Sequence, residues 1–258
     1  MSREVPRVIV DTANLKTQSL ALLTDCIPGA TPVHHTISAG DAISLNPGGC
    51  YRIFVLTAGE VVFLTGAKEY PYSERVVFIP DPELGVVLKS KTGAQLLEIR
   101  WEIKEGDNTL LEEYGTVFPY ENLYSTSKQY RDRNKSDKTI SRVMVEQRHI
   151  PRFCMGSVET YGYDTVKSHD HPMLDQFFFS FPENDMDVLI DFEPVPMPGN
   201  MLMYIPLGAM HGVEVQEGKR LHYMWIDFYQ GEEGLKRLDT SHIATGIMAG
   251  FDEQGNRV

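Results

Sequence analysis

The chain has 258 residues and a formal net charge of −12, with 42% hydrophobic and 23% charged residues. This length allows one large or two small domains with an ample core, and the composition is that of an ordinary globular protein. The acidic balance argues against a nucleic-acid partner and against binding to anionic membranes, but a locally positive pocket could still hold an anionic substrate. No apolar run approaches the ~20 residues that a membrane helix needs.

The N-terminal segment and the cysteines indicate the compartment. The residues after Met1 lack the apolar core of a signal peptide. The three cysteines, Cys26, Cys50 and Cys154, are scattered and show no Cys-x-x-Cys spacing, which favours reduced thiols over a disulfide framework or a thiolate metal site. We therefore expect a cytoplasmic protein.

Residues 1–103 are predicted to form a first barrel. A strand candidate lies at 7–10, and further β-branched and aromatic runs lie at 51–56, 61–64, 75–80, 85–88 and 94–101. Short strands separated by Gly, Pro and Asp are typical of an antiparallel sandwich or barrel. The histidines of this part, His34 and His35, are adjacent, so they face opposite sides of a strand and cannot both bind one ion. We expect this barrel to lack metal ligands.

Residues 104–140 are predicted to be a connector, with positive charge concentrated in the polar stretch 129–138. One interpretation is a solvated loop. The other is a lid or a neighbouring subunit's arm that offers Arg131 or Arg133 to a substrate carboxylate, which the planar guanidinium binds through two hydrogen bonds.

A second barrel is predicted over residues 141–229, followed by a tail at 230–258 in which 232–238 could form helical turns. Its predicted strands lie at 141–147, 153–161, 164–171, 176–181, 186–192, 201–205, 212–216 and 221–228. The run Phe177–Phe181 is apolar on both faces, which is typical of a strand covered on both sides. The barrel interior would cover one side of this strand. Either the first barrel or another subunit would cover the other side, and in the second case the protein forms a homo-oligomer.

Three histidines of this second part have the spacing of metal ligands. His169 and His171 are separated by one residue and therefore lie on one face of a strand. His211 arrives on a later strand, behind the Pro-x-Gly turn at 206–208. An oxygen donor, Asp175 or Gln176, follows the His pair closely. Nitrogen and oxygen donors of this kind bind zinc, manganese, iron or nickel, and we expect one such divalent ion.

These motifs resemble the two short motifs of the cupin superfamily, in which a small antiparallel barrel holds a metal ion. The resemblance implies two tandem cupin barrels, that is, an all-β jelly-roll fold. A narrower likeness covers residues 169–232. The segments 169–184 and 206–228 are similar to the metal motifs of 5-keto-4-deoxyuronate isomerases and the related 5-deoxyglucuronate isomerases, which are two-barrel cupins. The family has Glu where this chain has Gln176, and here Gly212 directly follows His211.

The same likeness selects the oxygen ligand. It aligns the family's Glu with Gln176, and alternation along the strand then directs Asp175 away from the ion. The predicted ligand set is therefore His169, His171, Gln176 and His211. Three neutral imidazoles and a neutral amide leave the ion its full charge, which makes it a strong Lewis acid.

We expect a metal-dependent isomerase that acts on a small sugar or sugar acid. One candidate for its catalytic base is Lys167, which alternation places on the same strand face as the His pair. The other candidates are the polar residues Glu159, Tyr161, Glu214, Tyr223 and Asp227. One alternative is an iron-dependent dioxygenase of a small organic acid, which gains if Asp175 is the ligand. The other is a non-catalytic barrel pair that binds a small molecule and keeps a metal.

Overall fold

The computed structural model describes residues 3–171, 174–229 and 242–246, the last as backbone. Contacts divide the chain into two compact units. We call residues 10–125 the N-terminal unit. The C-terminal unit comprises the described parts of residues 1–9 and 126–258. Each unit has two antiparallel sheets.

The N-terminal unit consists of β2 (Gln18–Ala21), β3 (Ala30–Ile37), β4 (Ala42–Leu45), β5 (Cys50–Gly59), β6 (Val61–Thr65), β7 (Lys68–Tyr72), β8 (Val76–Ile79), β9 (Val86–Lys89), β10 (Ala94–Glu102), the helix α1 (Asp107–Tyr114) and β11 (Tyr120–Leu123), with a 3-10 turn (Tyr124–Thr126) at its end. One sheet has the order β11-β8-β5-β10-β3-β2, and the other the order β4-β9-β6-β7.

The C-terminal unit consists of β1 (Arg7–Ile9), β12 (Gln129–Asp132), β13 (Ile140–Ile150), β14 (Phe153–Tyr161), β15 (Asp164–His169), β16 (Leu174–Ser180), β17 (Asp185–Ile190), β18 (Glu193–Pro198), β19 (Met201–Ile205), β20 (His211–Val215), β21 (Arg220–Tyr229) and β22 (His242–Gly246). Its larger sheet has the order β1-β19-β16-β21-β14-β13-β12-β22, and its smaller sheet the order β15-β20-β17-β18.

The two units repeat one strand order. The arrangement of β2 to β10 in the N-terminal unit recurs as β13 to β21 in the C-terminal unit, strand by strand. The predicted all-β fold with two tandem jelly-roll barrels is confirmed. The strands predicted at 153–161 and 201–205 have the observed bounds, and most of the others differ by a few residues.

Several strands extend these barrels beyond the sequence prediction. The first strand, β1, was expected in the first barrel but pairs with β19 of the C-terminal unit, where its backbone covers an otherwise open sheet edge. Parts of the predicted connector also pair with sheets: β11 adds to β8, and β12 adds to β13. Within the predicted tail, β22 pairs with β12, and the predicted helical turns at 232–238 lie outside the described residues.

The smaller sheet of the C-terminal unit ends in a proline-rich strand that the sequence prediction missed. In β18, prolines occupy positions 194, 196 and 198. Alternate residues of a strand direct their amides to the same side, so these prolines remove donors only along one side of β18. In the described part of the chain, β18 is an edge strand that pairs with β17 alone. The missing donors on its other side therefore cost no hydrogen bond between strands.

Each unit has its own apolar core. In the N-terminal unit, Phe63 stacks on Phe78 with ring centroids 4.3 Å apart, and Phe54 packs beside them. In the C-terminal unit, Phe178 packs on Tyr223 at 4.6 Å within a cluster of aliphatic side chains and methionines. Burial of each such ring contributes roughly 1.5–3 kcal/mol. No helix in the described ranges is long and apolar enough to cross a membrane.

Candidate metal centre

The fold brings the three predicted histidines together in the C-terminal unit. His169 ends β15, His211 begins β20, and the two residues are partners across these strands. Ring centroids are 4.7 Å apart for His169 and His171, and 4.8 Å apart for His169 and His211. One nitrogen of each ring lies within 4.8 Å of the others. A small side-chain rotation would close this spacing onto one ion with bonds of about 2.1 Å.

A β-bulge directs His169 toward His211. The pairing of β15 with β20 shifts between Val166 and His169, where β15 carries one extra residue. Gly212 lies against this bulge: a Cβ at that position would stand 2.6 Å from the carbonyl oxygen of Val166 and 3.0 Å from the backbone nitrogen of Ser168. The glycine after the third histidine, at which the isomerase likeness departs from its family, therefore leaves room for the bulge.

Backbone carbonyls set the tautomers of two of the histidines. Nδ1 of His169 lies 2.8 Å from the carbonyl oxygen of Lys167, and Nδ1 of His211 lies 3.2 Å from that of Ala209. A carbonyl oxygen can only accept, so each Nδ1 carries the hydrogen. Both Nε2 atoms then keep a lone pair for a metal ion, an arrangement that is common behind metal-bound histidines.

Burial keeps His211 neutral. The side chain is 3% exposed. Burial, together with the neighbouring His169, lowers the pKa of His211 to about 3. A neutral imidazole is the form that binds metal, so His211 needs no deprotonation at neutral pH.

Gln176 directs an unused oxygen into the same place. Its Nε2 donates to Oδ1 of Asp227 at 2.6 Å, whereas its buried Oε1 has no hydrogen-bond partner. Gln176 lines a small cavity together with His171 and His211, and apolar side chains such as Ile205 also line it. A buried amide oxygen without a partner is costly, and a bound cation would remove that cost.

Asp175, the other oxygen donor considered, points elsewhere. Tyr204 donates its hydroxyl hydrogen to Oδ1 of Asp175 at 3.2 Å and accepts the amide hydrogen of Leu207 at 3.4 Å. Asp175 thus anchors, through Tyr204, the turn that precedes His211. In that turn Gly208 adopts a left-handed φ of 71°, which a side chain would disfavour. Asp175 and Gln176 have opposite directions, as alternation along β16 requires.

Asp227, one of the residues considered above as a base, lies behind Gln176 in a buried polar group. The sequence prediction did not place Lys135 in this group. Burial raises the pKa of Asp227 to about 7, opposed by the hydrogen bond from Gln176 and the charge of Lys135. Lys135 donates to the hydroxyl of Tyr130 at 3.1 Å and lies 3.7 Å from Asp132. Burial lowers the pKa of Lys135 to about 8, opposed by Asp132 and Asp227.

The connector arginines named for carboxylate recognition lie elsewhere. Arg131 is exposed and pairs with Asp137 at 3.0 Å, and Arg133 is exposed as well. In the same polar stretch it is Lys135 that enters the interior. Lys135 follows the end of β12, where its amide bonds the carbonyl oxygen of Asp132 and its side chain reaches the hydroxyl of Tyr130.

Lys167 contacts His169 through its backbone carbonyl and not through its side-chain amine. Lys167 is exposed, and the bulge interrupts the alternation that was expected to place it beside His169. Of the other acid–base candidates, Asp227 accepts a hydrogen bond from Gln176, which lines the cavity. Glu159 pairs with Arg142 at 3.0 Å, and Glu214 accepts from Gln216.

Two tyrosines complete the set of acid–base candidates. Tyr161 is 37% exposed at the end of β14. Tyr223 is buried against Phe178, and burial raises its pKa. Neither lines the cavity beside the histidines.

The N-terminal unit has no comparable cluster of three metal-binding side chains among its described residues. His35 lies 2.8 Å from a carboxylate oxygen of Glu98 and 2.7 Å from the hydroxyl of Ser19. His34, on the opposite face of β3, is buried, and its pKa is lowered to about 4. Both histidines of this unit are therefore held in its packing.

No family model and no curated protein matches this sequence. Solved structures do match its fold. A cupin 2 conserved barrel domain protein from Leptotrichia buccalis superposes with a TM-score of 0.59 at 14% identity, covering 88% of this chain and 98% of the other. The oxalate decarboxylase of Bacillus subtilis, in a study of its Mn(II) centres, gives 0.66 at 9% identity, covering 90% and 79%. The chain therefore has the cupin fold.

A third match has a different reaction in its name. A variant of salicylate 1,2-dioxygenase from Pseudoaminobacter salicylatoxidans, in complex with gentisate, superposes with a TM-score of 0.59 at 7% identity, covering 89% of this chain and 78% of the other. At these identities the likeness concerns the fold alone.

Proposed function

We propose that this chain is a metal-dependent enzyme whose C-terminal unit binds one divalent ion through His169, His171, His211 and Gln176. The observation that carries the proposal is the buried Oε1 of Gln176, which has no hydrogen-bond partner and lines the same cavity as two of the histidines. Nδ1 of His169 and of His211 faces a backbone carbonyl, so Nε2 is the nitrogen that each ring can offer to a metal ion. The donors fit a borderline divalent cation such as zinc, manganese, iron or nickel.

We further propose that the enzyme isomerises a small sugar acid or hydroxy-ketone. When bound, the ion would supply Lewis-acid polarisation of a substrate carbonyl or hydroxyl. The protein's own contribution is a neutral ligand set, since no carboxylate reduces the charge of the ion. Asp227 orients Gln176 by accepting its amide hydrogen. Ile205 and Ala209 provide apolar lining beside these donors.

Small carboxylates as substrates are supported by the neighbours in fold. The printed names of these proteins include an oxalate decarboxylase and a salicylate dioxygenase with gentisate. The Mn(II) of the decarboxylase also motivates manganese as the first metal to test.

A dioxygenase of a small organic acid is the second candidate. It is favoured by the likeness to salicylate 1,2-dioxygenase and by a ligand set that leaves coordination positions for substrate and oxygen. It is disfavoured by the position of Asp175, whose carboxylate contacts Tyr204 and not the cavity.

Two assays on the same metal-loaded preparation separate these candidates. After elemental analysis, the protein is incubated with uronates and 2-hydroxy or keto acids in deuterated water, and hydrogen loss beside the carbonyl is followed by NMR. Isomerisation predicts deuterium incorporation without oxygen uptake. Oxygen uptake that depends on the acid would replace the isomerase by the dioxygenase. If neither occurs while an acid still binds, the chain is a metal-containing binding protein.

The matched variant for these assays is His211→Ala, which removes a ligand from a strand whose fold rests on apolar packing. Activity that persists in metal-free His211→Ala protein would contradict the proposal as a whole. His149→Ala, a histidine outside the cluster, controls for general effects of losing an imidazole.

A further inference from the structure

The shared strand order identifies equivalent interior positions in the two units. In the C-terminal unit Gln176 on β16 is the partner of Asp227 on β21, and Phe178 lies two residues further, in the core. In the N-terminal unit Arg52 on β5 is the partner of Arg100 on β10, and Phe54 lies two residues further, also in the core. Residues two apart share a strand face. Arg52 and Arg100 therefore occupy the positions that Gln176 and Asp227 hold beside the candidate metal centre.

A buried carboxylate holds these two arginines. Glu98 is fully buried. Its Oε2 accepts from Nε of Arg100 at 3.0 Å and lies 2.8 Å from Nε2 of His35, and its Oε1 accepts from Nη1 of Arg52. Burial raises the pKa of Glu98, but the hydrogen bond from His35 and the charges of Arg100 and Arg52 outweigh it and hold the pKa below its ordinary value.

The two guanidinium groups of Arg52 and Arg100 face the single carboxylate of Glu98. Nη2 of Arg52 donates to the backbone oxygen of Asn46 at 3.0 Å. Arg100 is bound only through Nε, and within the described part of the chain its two Nη atoms have no hydrogen bond to protein. Its side chain is 34% exposed. One guanidinium is thus fixed at its base while its outer edge can be reached from solvent.

We propose that the N-terminal unit binds a small carboxylate at Arg100 and Arg52. A guanidinium fork presents two parallel N–H groups that match the two oxygens of a carboxylate, and a group already fixed by Glu98 loses little side-chain entropy on binding. Two guanidinium groups share one carboxylate in the protein, so the cluster can accept a further carboxylate. A phosphate dianion would bring a second negative charge close to Glu98, so phosphate binds more weakly. The site does not depend on the metal centre of the C-terminal unit.

The test uses the full-length chain labelled with ¹⁵N-arginine, titrated with sodium acetate at constant chloride concentration. The Nε–Hε resonances of Arg100 and Arg52 are assigned by their absence in Arg100→Lys and Arg52→Lys. We expect a saturable acetate-dependent shift of the Arg100 resonance, unchanged when a chelator removes any metal. In Arg100→Gln, acetate affinity should fall at least tenfold, whereas Arg131→Gln, a change at an exposed ion-paired arginine, should leave it unaltered.

Three outcomes would overturn the proposal. One is no saturable shift up to about 50 mM acetate, which exceeds the range of a weak but specific site. Another is a shift that disappears with the chelator, since the ligand would then sit at the metal. The third is phosphate binding as tight as that of acetate, which would contradict the carboxylate class. If Arg100→Gln unfolds, Arg100→Lys keeps the charge without the fork and should still weaken binding.

Discussion

The two units use one strand order for two kinds of polar interior. Where β20 of the C-terminal unit begins with His211, the equivalent β9 of the N-terminal unit begins with Val86, which is buried in the core. Where Gln176 and Asp227 face each other, the N-terminal unit has Arg52 and Arg100. The barrel framework thus tolerates either a set of neutral donors or an arginine–carboxylate cluster at the same level.

The difference shows what such a barrel requires. Its stability comes from apolar layers such as those around Phe54 and Phe178, which the units share. The polar level above them can change as long as each buried group finds a partner, because an unpaired buried charge is costly. In the C-terminal unit Oε1 of Gln176 is one of several buried polar atoms without a hydrogen-bond partner. It belongs to a residue that lines the same pocket as His171 and His211, and that is where an external ligand is expected.

The largest effect should come from removing His211, a proposed metal-binding side chain whose equivalent position in the N-terminal unit is Val86. Wild-type protein should bind one divalent ion per chain, and His211→Ala should lose it. Structural zinc sites bind with about 10–16 kcal/mol shared by four ligands, so losing one should cost about 3 kcal/mol, or more than 100-fold in affinity. Elemental analysis measures this, with circular dichroism to verify the fold. Two ions per wild-type chain would break the comparison between the units.

Acid should lower the stability of the N-terminal unit because of its buried His34. The pKa of His34 is lowered from 6.5 to about 4. Between pH 4 and pH 6.5, His34 is therefore protonated in the unfolded chain and neutral in the folded chain. Stability contributed by neutral His34 should be complete above pH 6.5 and should decline by about 3 kcal/mol as the pH falls toward 4.

Urea unfolding of wild-type and His34→Gln protein at a series of pH values measures the contribution of His34. The variant should show a shallower decline below pH 6.5, because glutamine does not titrate. Equal slopes for both proteins would show that His34 is not held neutral.

The bulge that positions His169 can be tested at Gly212. In Gly212→Ala the new Cβ would stand 2.6 Å from the carbonyl oxygen of Val166, so β15 and β20 must separate. We expect a loss of about 2 kcal/mol in stability from this overpacking. Displacement of His169 should also weaken metal binding about tenfold, in the range seen for disturbed supports of metal ligands.

A second variant separates backbone from side-chain causes at the bulge. Ser168→Ala removes the hydroxyl that also approaches the position of the new Cβ. Adding it to Gly212→Ala should not restore metal affinity, because the nearest atom belongs to the backbone. Full recovery in the double variant would assign the effect to Ser168 and not to the bulge. Isothermal titration with the metal and thermal melts give the two readouts.

The smallest effect concerns the charge of the ligand set. Gln176→Glu alone would place a carboxylate against Oδ1 of Asp227, where Gln176 now donates a hydrogen. Combining it with Asp227→Asn supplies a donor again and moves the carboxylate from Asp227 to the ligand position itself. The negative charge then lies next to the ion and should raise metal affinity about tenfold over wild type. Asp175→Asn, on the opposite face, should change affinity little. If Asp175→Asn strips the metal instead, Asp175 is the ligand and the dioxygenase gains.

The local patterns of the sequence were enough to predict most strands and the pairing of motifs. Alternating and β-branched runs predicted the strands at 153–161 and 201–205 with their observed bounds, because strand periodicity is written in consecutive residues. The His-x-His spacing and the later Pro-x-Gly turn predicted that three histidines would meet, and they do meet. Alternation predicted that only one of Asp175 and Gln176 faces inward, and the likeness to the isomerase family selected Gln176. In the structure Gln176 lines the cavity.

What the sequence could not determine depends on contacts between distant strands. Lys167 was expected beside His169, but a bulge that exists only through pairing with β20 moved it to the surface. β1 joined the C-terminal unit through its pairing with the distant strand β19. Lys135 turned toward the buried hydroxyl of Tyr130, which only the folded unit places there. Arg52, Arg100 and Glu98 look like surface charges in the sequence. Only the barrel, by turning their strand face inward around one buried carboxylate, makes them a cluster.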